Sequence, residues 1–530
     1  MASAATPGWT PDRSAAGGNN PWLIVAIISL PTFMEVLDTS IANVSLQHIA
    51  GGLSIDIDQA TWVLTSYLVA NAIIIPISGW LSDVIGRKRY FQISILLFTL
   101  SSLMCGLAPD LTTLVIARIL QGIGGGGLAP VEQSILADTF PPNRRAMAFA
   151  AFAIVVVVGP VLGPTLGGYI TDVSSWHWIF LINVPVGAVA LVLVHLFVDE
   201  PAAVRRARDA LLARGIRIDY IGILLVALGL GFLEYTLDRG EREDWFASAA
   251  IVTTALVAAV SLIGLVIWEL RHPEPVVDLK LLGSRNFALT TVVMLLTGMI
   301  LFGTTQLIPQ MLQQVLGYTA FQAGLAMTFG GFATLAMVPF AGRLSSKVDV
   351  RFLIFPALLV QAFALWNMSH LSADITFTDA AIARLYQAAA LPFLFVPINA
   401  VAYVGLPQTK TAQASSLLNV ARNLGGTLGI AGSQSLLSRY RQLEQSVTVE
   451  GLNPSNPLYS DWLARAGQAI GQPAGSPATI TMLYQEVQRQ AAMLAFLDVF
   501  RTLMLVILLV APVVFIMRPA KAGGGAPVGH

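Results

Sequence analysis

Fourteen blocks of predominantly apolar residues recur along this 530-residue chain, each about as long as the roughly 20 residues a helix needs to cross a bilayer. They fall near 21–46, 60–80, 90–108, 111–136, 147–170 and 178–198, then 218–236 and 247–269, then 286–314, 320–341, 352–370, 380–405, 412–437 and 495–517. Composition points the same way. Charged residues make up 11% of the chain and hydrophobic ones 55%, whereas a soluble protein carries about 25% charged residues to face water. The first block is too long for the apolar core of a secretory signal, contains Glu35 and Asp38, and lacks a basic flank, so it reads as a retained first helix. Net charge is zero with no dense basic patch, which removes nucleic acid as an expected partner. The lipid bilayer is the expected surrounding.

Several function classes drop out. The histidines are scattered with no His-x-x-x-His spacing, the single cysteine (Cys105) lies inside an apolar block, and no Gly-x-x-x-x-Gly-Lys-Ser/Thr loop occurs. Neither a metal site, nor an enzyme's nucleophile and base, nor an ATP-driven pump is therefore expected.

Orientation follows from Lys and Arg. An even number of spans puts both termini on one side. With the termini inside, 20 of the 30 basic residues fall in inner segments, 6 in outer segments and 4 within spans. The positive-inside rule then makes both termini cytoplasmic. The loop 79–89 and the loop 342–351 share a glycine, a Leu-Ser pair and a distal basic residue, although Ser346 stands where Asp83 does. This weak repeat divides the chain into halves. The expected layout is a tail 1–20, a six-helix bundle 21–198, a linker with two inserted helices 199–285, a second six-helix bundle 286–518 with a long outer loop 438–494, and a flexible tail 519–530.

Charged residues within spans are costly and mark sites of function. Asp38 and Glu35 stand three apart on one face of the first helix, where two acids could hold a proton between them. Arg118 in span four is a permanently charged counterpart. Glu132 lies on the same span, fourteen positions or about 21 Å further along an unbroken helix. In span five Gly159, Gly163 and Gly167 share one face and permit close helix approach, while Pro160 and Pro164 favour a bend. Arg422 is followed in span thirteen by Gly425 and Gly429, a similar packing face. Between spans two and three, Asp83 with Arg87, Lys88 and Arg89 forms a charged clip.

These residues also carry a family resemblance. Gly79, Asp83, Gly86, Arg87, Lys88 and Arg89 resemble the signature that follows the second helix of the major facilitator superfamily. Leu37-Asp38-Thr39-Ser40-Ile41-Ala42-Asn43-Val44 is similar to the first-helix motif of its fourteen-helix drug/proton antiporter branch, the EmrB/QacA type, and the EmrB subtype in particular. Arg118-x-x-Gln121-Gly122 resembles the fourth-helix motif. Gly159-Pro160-x-x-Gly163-Pro164-x-x-Gly167-Gly168 resembles the antiporter motif of the fifth helix. The run 176–187 is a further landmark of the type. The resemblance implies an all-α membrane protein of the major facilitator fold, two six-helix bundles plus two additional helices between them. It implies a proton-coupled multidrug efflux antiporter for amphiphilic or hydrophobic small molecules, working by alternating access in a bacterial inner membrane. The alternative is an exporter of a specific metabolite, siderophore or lipid-like compound. The proton gradient would be the energy source, with no cofactor. Glu35, Asp38, Asn43, Arg118, Gln121 and Glu132 would handle proton and substrate. Gly79, Asp83, Gly86, Arg87 and Arg89 would gate, and a periplasmic membrane-fusion adaptor with an outer-membrane channel would be partners.

Overall fold

The structure, a computed structural model, describes residues 20–519 apart from 373, 374, 451 and 454. The tails expected at 1–20 and 519–530 lie, but for residues 20 and 519, outside the described residues, and so do Arg13 and Lys521. The described residues form helices and no strands. Twelve helical spans are long and apolar enough to cross a membrane. Two further helices have the length but more polar sequences, and both pack among the others. The fold is two six-helix bundles with two additional helices between them.

The first bundle begins with α1 (Pro21–Val44). Asn20 caps it by accepting from Trp22 N, and Pro21 occupies the first helical position, where its missing N–H costs nothing. Next come α2 (Trp62–Ile85) and α3 (Arg87–Gly106), the first of the two polar helices. Gly86 joins them at φ +96°, a conformation that glycine adopts without strain. Span four is broken: α4 (Leu111–Gly125) and α5 (Leu128–Thr139) meet at Gly126 and Gly127. The glycine run therefore interrupts the helix between Arg118 and Glu132. An unbroken α6 (Pro142–Val173) and α7 (Asn183–Phe197) complete this bundle.

A helix α8 (Ala202–Ala213) lies in the basic linker and leads to the inserted pair, α9 (Tyr220–Arg239) and α10 (Ala249–Arg271). These two bury the smallest shares of their spans apart from α7 and the last helix. Leu224, Leu256, Val260 and Ile263 stand exposed on them, as suits a lipid-facing position. The second bundle holds α11 (Arg285–Gln314), α12 (Ala320–Ser345), α13 (Arg351–Met368), then α14 (Phe377–Ala390) and α15 (Pro392–Ala402) as one span broken at Pro392.

The segment 438–494, expected as a long outer loop, is largely helical. The second polar helix, α16 (Thr411–Glu450), is 40 residues long, about 60 Å at helical rise against a hydrocarbon core of about 30 Å. It therefore projects past the membrane. Next, α17 (Pro457–Ile470) is separate, and α18 (Pro477–Val510) begins well before the last apolar block. Hydropathy marks where a helix is apolar, not where it ends, so polar overhangs read as loop. Within α18, Val487 and Ala491 are buried, whereas Leu494 is exposed.

Candidate functional site

Four helices of the first bundle converge on Asp38. Its carboxylate accepts from Arg118 Nη1 at 2.6 Å, Asn183 Nδ2 at 2.6 Å and Gln121 Nε2 at 3.0 Å. Arg118 also donates to Gln121 Oε1 at 2.7 Å and, through Nε, to the Val63 carbonyl at 2.9 Å. Its guanidinium carbon stands 4.2 Å from the Tyr67 ring centroid. Gln121 donates in addition to Ser102 Oγ at 2.6 Å. Both charged side chains are fully buried. A buried ion pair repays its desolvation best when its remaining lone pairs and protons are satisfied; the amides of Gln121 and Asn183 fill out the carboxylate's shell, while Arg118 Nη2 has no hydrogen-bond partner among the described residues.

Glu35 does not share this site. Three residues along α1, its Oε1 faces Tyr67 OH at 3.3 Å and Asn71 Nδ2 at 3.4 Å, on the side of α1 that looks to the other bundle. Glu132 joins it there. The break at Gly126 and Gly127 puts α5 against α1, and Glu132 accepts from Ser29 Oγ at 2.6 Å with Thr32 beside it. From the second bundle Arg422 enters the field of both acids. Glu132 Oε2, Glu35 Oε2 and Arg422 Nη1 are buried with no hydrogen-bond partner among the described residues. The expected pair of acids on one face is thus two sites: Asp38 locked inside one bundle, and Glu35 with Glu132 and Arg422 between the bundles. Three positions on a helix differ by about 60°, enough to send neighbours to different partners. Asn43 is exposed near the end of α1, away from both groups.

At the end that carries Arg87, Lys88 and Arg89, side chains of the two bundles interlock. Arg87 is 1% exposed. It forms an ion pair with Asp138, donates through Nη2 to the Gln408 carbonyl at 2.7 Å, and receives Glu200 Oε1 on its backbone N–H at 2.7 Å. Asp83 faces Gln413, Lys410 and Arg87. Gly79 lies against Gln413 and Ala412, where a Cβ would come within 3.1 Å of the Gln413 backbone. A Cβ on Gly86 would meet the Glu200 carboxylate at 2.8 Å. Ser416 donates to the carbonyls of Ile75 and Pro76, and Asn419 to Gln133 Oε1 at 2.7 Å. Lys88 reaches the His195 carbonyl instead, and Arg89 is exposed. This end of the molecule is closed.

The glycines of α6 face α1 rather than the second bundle. Cβ atoms on Gly159, Gly163 and Gly167 would strike Val36, Ser40 and Ile41, and Ser40 Oγ donates to the Pro160 carbonyl at 3.1 Å. The Pro164 side of α6 meets Gly324 of α12. Gly168 has open space around its Cβ position, so packing does not account for it. In α16, Cβ atoms on Gly425 and Gly429 would collide with the carbonyls of Leu295 and Met299 on α11. That pair is packed backbone to backbone.

Sequence reasoning missed Ser102, Asn183, Asp138 and Glu200. Asn183 was findable as an amide inside the apolar run 178–198. It also missed a mirror of the first-bundle motif: Arg384-x-x-Gln387 in α14 repeats Arg118-x-x-Gln121. There Arg384 donates to Gln387 and to Thr305 Oγ1 at 3.0 Å, and Gln387 to Thr304. No carboxylate among the described residues pairs with Arg384, and its Nε has no partner. The repeat is kept and the acid is confined to the first bundle.

The family model described as Major Facilitator Superfamily matches residues 28–430. The chain is 40% identical over 447 residues to the multidrug export protein EmrB of Haemophilus influenzae, covering 84% of this chain and 86% of that protein. It is 36% identical over 514 residues to EmrB of Escherichia coli strain K12, covering 96% and 98%. Among solved structures, the proton:xylose symporter XylE bound to 6-bromo-6-deoxy-D-glucose superposes with a TM-score of 0.60 at 14% identity, over 95% of this chain and 97% of that one. At that identity the likeness is one of fold.

Proposed function

The chain belongs to the major facilitator superfamily, and we propose that within it the protein is a proton-coupled exporter of amphiphilic or hydrophobic small molecules. The observation that carries this reading is the buried Asp38–Arg118 pair beside an interbundle site holding two further acids and one arginine. The names of the EmrB relatives support the class of cargo.

In this mechanism Asp38 is ionised while Arg118, Gln121 and Asn183 donate to it. A proton arriving from outside neutralises the carboxylate and weakens its hold on Arg118, which then turns more fully to the Val63 carbonyl and the Tyr67 ring. Because Val63 and Tyr67 sit on α2, and α2 meets α16 at the closed end, the change at Asp38 reaches the interlock of Arg87, Asp138 and Gln408. Substrate binds between the bundles among Glu35, Glu132 and Arg422. The unpartnered oxygens of the acids suit a cationic or hydrogen-bond-donating group, and apolar residues such as Phe152 suit its hydrophobic body.

We place the Arg87 end in the cytoplasm of a bacterial inner-membrane protein, on the strength of its basic residues. The conformation described is then closed inwards. We take 21–198 as the first bundle, 199–285 as the linker with the inserted pair and 286–518 as the second bundle. A periplasmic adaptor and an outer-membrane channel would complete export, with the helical outer segment 438–494 as the surface nearest to them.

The test is proton movement in proteoliposomes with an inward acid gradient, on adding ethidium, an uncoupler-like weak acid and a neutral hydrophobic antibiotic in turn. Substrate-triggered dissipation that disappears in Asp38→Asn is expected. Folded protein that answers none of the three compounds would refute the export of amphiphiles.

A further inference from the structure

Three carboxylates on or next to the inserted helix α9 face the bundles and have no part in the mechanism above. Glu234 is 4% exposed, and Thr427 Oγ1 of α16 lies 3.0 Å from each of its oxygens. One turn further out, Asp238 accepts from Thr65 Oγ1 of α2. Just past the helix end, Glu241 accepts from Ser435 Oγ of α16 at 2.6 Å and Trp245 Nε1 at 2.8 Å. The inserted helix is therefore bonded through acids to both bundles, to α2 by one and to α16 by two.

Glu234 stands out chemically. A hydroxyl offers one hydrogen, and Thr427 Oγ1 also lies 3.1 Å from the Asn423 carbonyl. If Glu234 is ionised, that single hydrogen must leave the carbonyl, and the charge is held at membrane depth by one neutral donor. If Glu234 is protonated, its own O–H donates to Thr427 and the threonine hydrogen stays on Asn423, so both hydrogens are placed and no charge is buried. Burial of a charge without a partner is the costlier arrangement. The elements packed on α9 bring no compensating cation. Arg422 of α16 is turned to Glu35 and Glu132, Arg439 of α16 faces Glu241 further out, Arg271 and Glu269 of α10 and Asp83 of α2 lie at the opposite ends of their helices, and Arg239 of α9 itself stacks on Trp62 at 4.6 Å. The charged group facing Glu234 is Asp238, of like sign.

Inward from Glu234 the polar side chains continue. Asn423 Nδ2 is 3.4 Å from Asn71 Oδ1, and Asn71 Nδ2 is 3.4 Å from Glu35 Oε1. We propose that Glu234 is a second proton-binding residue of the transport cycle, outside the central cavity, loaded from the outer face past Glu241 and Asp238 and discharged toward Glu35. One proton from outer water makes Glu234 neutral. Its transfer through water along Asn423 and Asn71 leaves Glu234 a carboxylate and Glu35 a neutral acid. Glu234 takes its donor from α16 and Asp238 from α2, so rocking of the bundles disturbs one or both bonds and ties the proton's release to the conformational change. Protons can then enter while substrate fills the space between the bundles, which gives the two inserted helices a task.

This inference rests on the antiport reading, and one experiment separates the two. The full chain in proteoliposomes, with ethidium as the probe, is set against a series of opposing proton gradients to find the proton-to-ethidium ratio at balance. Wild type, Glu234→Gln and Glu234→Asp are compared, with the thermal melt of each in detergent. Glu234→Gln, which mimics the neutral acid, is expected to melt like wild type and to lose one proton from the ratio, with Glu234→Asp restoring it. An unchanged ratio in Glu234→Gln overturns the inference while leaving antiport standing. A lowered melt in both variants, with transport lost in both, overturns it in favour of a packing role. A wild type that moves no protons with ethidium overturns the antiport reading and this one together.

Discussion

Asp38 and Arg118 offer a double-mutant cycle whose outcome the geometry fixes. Asp38 receives three donors. Asparagine in its place offers one acceptor oxygen and turns an N–H₂ toward those donors, leaving a fully buried guanidinium without its counter-charge. Arg118→Gln removes the guanidinium, its bond to Val63 and its stacking on Tyr67, and leaves Asp38 ionised among two amides. Breaking a buried pair from either side costs about 3–5 kcal/mol, mostly because the surviving charge is stranded. The double variant strands nothing. Its loss should match one single variant rather than the sum of two, a coupling of about 3 kcal/mol or roughly a hundredfold in the unfolding equilibrium. Denaturant titration of purified protein in detergent, followed by tryptophan fluorescence, reads this directly. Coupled transport should be absent from all three variants, so the second substitution adds no further loss of stability and returns no function. Losses that add within about 0.5 kcal/mol would mean that the two residues do not act as a pair, and the reasoning would fail.

Two further outcomes follow from the closed end and from the glycine faces. Arg87→Ala or Asp138→Asn should loosen the interlock, so that a cysteine placed by Ser416→Cys, between the bundles, reacts about 5–150-fold faster with a membrane-impermeant thiol reagent, the span of a typical conformational coupling; Cys105 is buried inside the first bundle and should stay silent, and an unaltered rate would remove Arg87 from gating. Gly425→Leu should cost at least the about 1–3 kcal/mol of ordinary overpacking, because a Leu295 carbonyl on α11 is in the way, and should appear as aggregated protein on size-exclusion chromatography, whereas Gly168→Ala, facing open space, should melt like wild type.

The membrane fold was legible because bilayer thickness is a length scale that hydropathy measures directly. The six-two-six order followed from the apolar blocks and the weak repeat of the loops 79–89 and 342–351, while the positions of Lys and Arg carry the proposed orientation. Helix ends were not legible where they left the lipid. The overhangs of α16 and α18 are polar on most sides, and Pro457–Ile470 has no apolar block to announce it. At the site, residue types said that Arg118, charged and within a span, needs an acid beside it, but not which one. Periodicity did not separate Glu35 from Asp38, since which partner a side chain meets depends on how neighbouring helices cross, and that is absent from a one-dimensional pattern. The break at Gly126 and Gly127 shows the same limit. A glycine run permits a kink, and only the helices packed around it decide that Glu132 turns toward α1. The Arg384-x-x-Gln387 repeat is legible in the letters alone, since it copies the spacing of Arg118-x-x-Gln121.

Asp38 and Arg118 have one more property as a pair: together they carry no net charge. An electric field across the membrane exerts no net pull on a neutral pair, whereas it acts on a single charge with about 2.3 kcal/mol per 100 mV for a complete crossing. While Asp38 is ionised, the pair itself therefore adds nothing to the bundle's response to membrane voltage. In the proposed cycle, a proton on Asp38 leaves Arg118 as an unbalanced positive charge, and from that moment a potential that is negative inside pulls on it. The ion pair thus times its own contribution to the voltage response, withholding it until the proton has arrived.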